Sequence, residues 1–288
     1  MATQPTAPTQ NPVALRGDYS QAAADYTVDQ HWERYTDEDH AIWQTLYARQ
    51  SALLERYAAP EFIAGAQALQ AAPDRIPRID ATNRILERMT GWNIVCVPGL
   101  IPEGQFFAHL AARRFPVTAW IRRREELDYL VEPDIFHDFF GHVPLLTNPT
   151  FARFMEAYGN AGPKAIAAGS LKMLARLYWY MVEFGLIRTP QGLRVYGSGI
   201  LSSKGETVYS IESPKPNRIA FALERVMRTD YLIDNYQQTY FVLDSLEQLF
   251  HAGYETDFAP IYERYAATAG IAPDAVLPAD RLIDPSGA

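Results

Sequence analysis

Two histidines and a glutamate carry the strongest chemical signal in this 288-residue chain. The histidines lie in the run Glu132-Pro133-Asp134-Ile135-Phe136-His137-Asp138-Phe139-Phe140-Gly141-His142-Val143-Pro144. Pro133 suits a first helical turn, and Asp134 suits the positive end of a helix dipole. Pro144 disfavours helix at Val143, so a short helix over 133–142 is expected to stop near His142, weakened by Gly141. His137 and His142 are five residues apart, which on a regular helix sets them about 140° apart. They would not share an ion from mid-helix. A frayed end beside Gly141 would let His142 turn toward one. Otherwise they are unrelated, one in the core and one on the surface.

Glu183 sits in Leu177-Tyr178-Trp179-Tyr180-Met181-Val182-Glu183-Phe184-Gly185-Leu186-Ile187, a stretch apolar enough to be buried on most sides. An unpaired carboxylate there is costly and needs a cation or several donors. A metal ion answers that need, and so does an ion pair with Arg176 or Arg188. Two histidines and a carboxylate together form the facial triad of non-haem iron(II) oxygenases, with positions left open for oxygen or substrate. The same ligands could hold catalytic zinc for hydrolysis, with Asp138 as the general base.

The elements that must position these residues are mostly helical. Apolar spacing predicts helices over 40–57, 61–69, 81–89, 103–113, 151–159, 165–184, 217–227, 245–253 and 257–267. Short strands are expected over 92–97, 115–121, 207–211 and 240–243, with a hairpin turn at Thr189-Pro190-Gln191-Gly192. Residues 1–20, rich in Pro, Thr, Gln and Ala, read as a flexible tail. The fold class is therefore mainly α with a few short β-strands, in a single catalytic domain over 21–288 whose last ~15 residues are loose. No glycine-rich phosphate loop follows a strand, which argues against a Rossmann-type nucleotide domain.

Hydrophobic residues make up 48% of the chain and charged residues 21%, enough for a large core without a disulfide or structural metal. Any metal is then expected to serve chemistry. The net charge of -8 argues against nucleic acid or an anionic membrane as partner. The lone Cys96 reads as a small buried hydrophobe and fits a reducing compartment. With neither a signal-like start nor an apolar run of roughly 18 residues, the expected location is the cytoplasm. No heptad repeat follows the last helix, so a monomer is expected.

The runs EPDIFHDFFGHVPLL (132–146), YWYMVEFGL (178–186) and VYGSGILSSKGE (195–206) strongly resemble, in order and spacing, the signatures of the pterin-dependent aromatic amino acid hydroxylases. The resemblance extends from roughly residue 29 to 262, and the length is similar to that of bacterial members, without a regulatory or tetramerisation domain. It implies Fe(II) held by His137, His142 and Glu183, and tetrahydrobiopterin or a related tetrahydropterin as cosubstrate. By matching position, Phe106 would stack on the pterin and Gly99, Leu100 and Ile101 would hydrogen-bond its edge. Asp138, where many relatives have glutamate, would reach it through water, and Tyr178 would lie beside iron and pterin. Pro116 departs from a histidine of animal relatives and puts one pterin contact in doubt.

The resemblance further implies that Arg122 clamps the substrate carboxylate, a task suited to its two parallel donors. Pro133 and Trp179, joined by Phe136, would wall the ring pocket. Gly199 and Ser202 would meet the amino acid end, with Glu206 in support. His31, His40, His109 and His251 receive no role. The expected reaction is hydroxylation of L-phenylalanine to L-tyrosine with O2, an entry step to phenylalanine breakdown. Apolar walls suit a bare benzyl ring, whereas a phenol needs a partner and an indole needs volume. Tyrosine or tryptophan hydroxylation, a zinc hydrolase, and a non-catalytic pterin or amino acid binder are the alternatives.

Overall fold

The computed structural model describes residues 16–284. Twelve α-helices and six short strands surround one continuous hydrophobic core among these residues. Helix α1 (Asp37–Tyr57) starts on a capping box in which Thr36 and Asp39 satisfy each other's backbone N–H, with Asp37, Glu38 and Asp39 at the positive end of the dipole. Helices α2 (Pro60–Leu69) and α3 (Ile79–Thr90) follow, and α3 ends at Gly91 in the left-handed conformation.

Strand β1 (Asn93–Val97), helix α4 (Glu103–Ala111) and strand β2 (Arg114–Thr118) form a small parallel β–α–β unit. Pro116 is tolerated in β2 because this strand pairs on one side only. Beyond it, the short helix α5 (Val143–Leu146) leads to α6 (Pro149–Ala167) and α7 (Leu171–Tyr178). Helix α6 runs unbroken through Pro163, across the gap between the helices expected over 151–159 and 165–184. Its glycines serve packing: a Cβ on Gly162 would fall 2.0 Å from the Phe107 ring and one on Gly159 2.3 Å from Ala111 N, so α4 lies directly on α6. The break comes later, at Gly169.

A four-stranded mixed sheet, ordered β4-β3-β6-β5, is built from β3 (Leu186–Thr189), β4 (Gly192–Val195), β5 (Asn217–Ala220) and β6 (Thr239–Leu243). Between its strands lie α8 (Ser198–Leu201), α9 (Lys204–Glu212) and α10 (Leu223–Arg228). The last two helices are α11 (Leu246–Tyr254) and α12 (Ala259–Tyr265).

Two expectations fail here. The β-branched stretch 207–211 is helical, because Ser203 caps α9. The stretch 217–227 is strand β5 followed by α10, because 217–220 pairs in parallel with β6. The mostly helical class with a few short strands holds. Of the expected tail, 1–15 lies outside the described residues. The remainder is held: the Arg16 backbone N–H donates to Glu132, and Tyr19 Oη donates to Leu100 O at 2.9 Å. The closing stretch is tied as well, through an Ile219–Leu282 bridge and a buried Arg225–Asp280 ion pair. No helix among the described residues is long and apolar enough to cross a membrane.

Candidate metal and substrate site

His137 and His142 lie at the two ends of a π-helical turn, Phe136–His142. In a π-helix the hydrogen bond spans five residues, so i and i+5 return to one face. This, and no frayed end, brings the two imidazoles together. The chain then continues into α5 rather than stopping at His142, with Pro144 in its first turn, where no amide proton is needed. Gly141 permits the turn to lie against α8: a Cβ there would sit 2.8 Å from Ser198 O. Glu183 ends a second π-helical turn, Trp179–Glu183, closed by Phe184 N–H donating to Trp179 O at 3.0 Å.

Glu183 Oε1 lies 3.1 Å from His142 Nε2, and Oε2 lies 3.6 Å from His137 Nε2. One ligand atom from each of the three residues falls within 4.8 Å of the others, and this is the one such group of His, Cys, Asp or Glu among the described residues. The arginine alternatives are taken: Arg176 pairs with Asp230 and Arg188 with Asp244. Ser198 Oγ donates to Glu183 Oε2 at 2.7 Å. Burial pushes the Glu183 carboxyl up, but His142, then His137 and Ser198, outweigh it and hold it at about 2. Burial also pushes the His137 imidazole down, against the opposing pull of the Glu183 carboxylate. Its Nδ1 lies 2.8 Å from Ser202 Oγ, which lies 3.3 Å from Gly199 O. If Nδ1–H donates to Ser202 and Ser202 to Gly199, the Nε2 lone pair faces Glu183, the tautomer a metal ligand needs. Two imidazoles beside a compact carboxylate are a donor set that fits Fe(II) or Zn(II).

Arg122 follows β2 and is buried against Asp134, which is 0% exposed. Nε donates to Asp134 Oδ2 at 2.8 Å and Nη2 to Oδ1 at 2.9 Å. The same carboxylate accepts the backbone N–H of Arg122 at 2.8 Å and of His137 at 3.0 Å. Burial raises the Asp134 carboxyl, but Arg122 and these donors outweigh it and hold it below the usual range. Arg122 Nη1 makes no hydrogen bond with the described residues, so one edge of the fork is left for a ligand.

Phe106 meets Tyr178 edge-on at 5.5 Å, and Tyr178 lies 6.3 Å from the His142 ring, so both approach the metal side of the fold. The loop of Gly99, Leu100 and Ile101 is clasped: Leu100 N–H donates to Glu132 Oε1 at 3.4 Å and its carbonyl accepts from Tyr19. Asp138 is buried, which pushes its carboxyl up, and Oδ2 accepts Thr118 N–H at 2.7 Å. Cys96 is buried and its thiol is pushed up to about 12, consistent with an inert core residue.

Trp179 packs on Phe184 at 4.9 Å, and Phe184 would be 3.0 Å from a Cβ on Gly199. Pro133 is half-buried one residue before Asp134. Phe136 instead faces the core, stacked on Phe140 at 4.9 Å and edge-on to Trp43. Glu206 stands behind the site, accepting Gln237 N–H at 3.1 Å and Tyr240 Oη–H at 2.7 Å. Its burial pushes the carboxyl up to about 7. Sequence reasoning missed Asp134 as the partner of Arg122, Ser198, and the pair Tyr231 and Gln237 around Trp179. The sequence marks Asp134 only as a residue suited to the positive end of a helix dipole.

The biopterin-dependent aromatic amino acid hydroxylase family matches residues 4–266. A phenylalanine-4-hydroxylase from Ralstonia nicotianae is 59% identical over 239 residues, 83% of this chain and 76% of the relative. One from Chromobacterium violaceum is 55% identical over 260 residues, 88% and 87% of the two chains. The iron- and phenylalanine-bound crystal structure of the C. violaceum phenylalanine hydroxylase superposes with a TM-score of 0.88 at 52% identity, covering 91% of this chain and 96% of that one. The cobalt-bound form superposes at 0.89, with 54% identity over 91% and 95%. The chain belongs to the biopterin-dependent aromatic amino acid hydroxylases.

Proposed function

We propose that this chain is a phenylalanine 4-monooxygenase, converting L-phenylalanine to L-tyrosine with O2 and a tetrahydropterin at an iron(II) centre. The observation that carries the reading is the convergence of His137, His142 and Glu183 from two π-turns, joined to similarity with phenylalanine-4-hydroxylases over most of the chain. The iron and the reduced pterin supply oxygen activation and two electrons, which no side chain has. The residues of this chain do the holding. His137, His142 and Glu183 present three ligand atoms on one side and leave the other for reactants. Phe106, Tyr178 and the Gly99–Leu100–Ile101 backbone form the pterin side, with Asp138 between β2 and the metal ligands.

Arg122 meets the substrate carboxylate with the free edge of its guanidinium, held rigid by Asp134. Trp179 and Pro133 flank the ring, while Gly199 and Ser202 lie between the amino acid end and His137. A pocket with apolar walls favours phenylalanine, because a buried phenol without a partner costs about 1–3 kcal/mol. The zinc-hydrolase alternative is disfavoured by the engagement of Asp138 with Thr118 and by the family. We further propose one catalytic domain, monomeric and cytoplasmic, that works without nucleic acid or membrane, as its charge of -8 suits.

The test is product analysis with iron(II), a tetrahydropterin, O2 and equal phenylalanine, tyrosine and tryptophan. Para-tyrosine from phenylalanine with the highest kcat/KM is expected. A higher kcat/KM for tyrosine or tryptophan would contradict the substrate assignment.

A further inference from the structure

Behind Trp179 stands a buried glutamine whose hydrogen bonds all converge on one task. Gln237 is only 2% exposed. Its Oε1 accepts the Trp179 indole N–H at 3.1 Å. Its Nε2 donates to Leu232 O at 2.9 Å and to Asn235 O at 3.4 Å, and its backbone N–H donates to Glu206. The two carbonyls fix the amide orientation, because only the nitrogen end can satisfy them. The same loop supplies Tyr231, which stacks on the Trp179 indole at 4.3 Å and 12°. The indole also meets Phe184, at 4.9 Å and tilted by 36°. The indole is therefore held by ring contacts to Tyr231 and Phe184 and oriented by one hydrogen bond. Glu206 acts on it at one remove, by holding Gln237.

We propose that Gln237 is a positioning residue that determines substrate specificity, setting the rotation of the Trp179 indole and with it the size of the ring pocket. This rests on the reading of Trp179 as a wall of that pocket. Without that bond to Gln237 the indole is freer to reorient through its χ1 and χ2 torsions. The indole is asymmetric, so such a turn changes the width of the space it borders. Losing the acceptor therefore enlarges the set of rings the pocket admits. A neutral hydrogen bond is worth about 0.5–1.5 kcal/mol, which corresponds to roughly twofold to tenfold in a selectivity ratio.

The test compares Gln237→Leu, Gln237→Glu and Trp179→Phe as iron-loaded proteins, with phenylalanine and tryptophan as substrates and iron content and thermal stability as further readouts. Gln237→Leu removes the acceptor and is expected to raise the phenylalanine KM about threefold to tenfold with kcat within twofold. The kcat/KM ratio of tryptophan to phenylalanine should rise by a similar factor, with iron content unchanged. Gln237→Glu keeps an acceptor for the indole, and its selectivity should stay within twofold of the parent even though it loses the bonds to Leu232 and Asn235 and some stability. If Gln237→Leu does not fold, Gln237→Met takes its place. A selectivity change as large in Gln237→Glu as in Gln237→Leu, or none in Gln237→Leu, overturns the proposal. If Trp179→Phe leaves both KM and selectivity unchanged, Trp179 is not a wall, and the reading beneath the proposal fails instead.

Discussion

Asp134 is the residue on which most of the site's geometry depends. One carboxylate takes four hydrogen bonds, two from the Arg122 side chain, one from the Arg122 backbone and one from the backbone of His137. It thus ties Arg122, the proposed substrate clamp, to His137, a proposed metal ligand. Removing Arg122 does more than delete a contact: it leaves a buried charge uncompensated, which costs about 3–5 kcal/mol. Arg122→Ala is therefore expected to raise the phenylalanine KM at least tenfold, since a charged hydrogen bond contributes about 1.5–3 kcal/mol. Thermal unfolding should shift down in the same variant. An unchanged KM would remove Arg122 from the site. At this scale the sequence was informative about residue types. A carboxylate inside 177–187 had to find cations or donors, and it found His137, His142 and Ser198. The Asp134–Arg122 pair was not legible, because twelve residues and an intervening loop separate the partners and no local spacing rule joins them.

The elements show where local reasoning stops. A regular helix keeps His137 and His142 on different faces, and fraying at Gly141 seemed the way around that. The structure uses a π-turn instead, and a second one carries Trp179 and Glu183. A π-turn is stabilised by what packs on it, here α8 against Gly141, and that contact comes from a segment over fifty residues away. Strand β5 was misread for the same reason, because its conformation depends on pairing with β6. By contrast, α1, α3 and β1 were legible, because apolar spacing and alternation are local, although the start of α1 at its Thr36 cap was placed three residues late. Gly199, expected to meet the amino acid end of the substrate, and Gly197, which had no expected role, both lie against Glu183, where a side chain would intrude.

Over the whole molecule, the termini of the described chain are drawn into the fold. Tyr19 donates to Leu100 O, Arg16 N–H donates to the Glu132 carboxylate, and Asp280 is buried against Arg225. The proposed monomer predicts a single sedimenting species of about the 32.5 kDa chain mass. A tetramer would overturn the proposed monomer. The architecture as a whole brings two distant π-turns to one point, and the account stands on the claim that this point holds the iron that hydroxylation needs. The most direct measurement is iron content together with tyrosine formation in Glu183→Ala, beside the parent protein. The account predicts one iron per parent chain, loss of bound iron in the variant, and loss of hydroxylation with it while the fold is retained by circular dichroism. A variant that keeps full iron and full activity would contradict it.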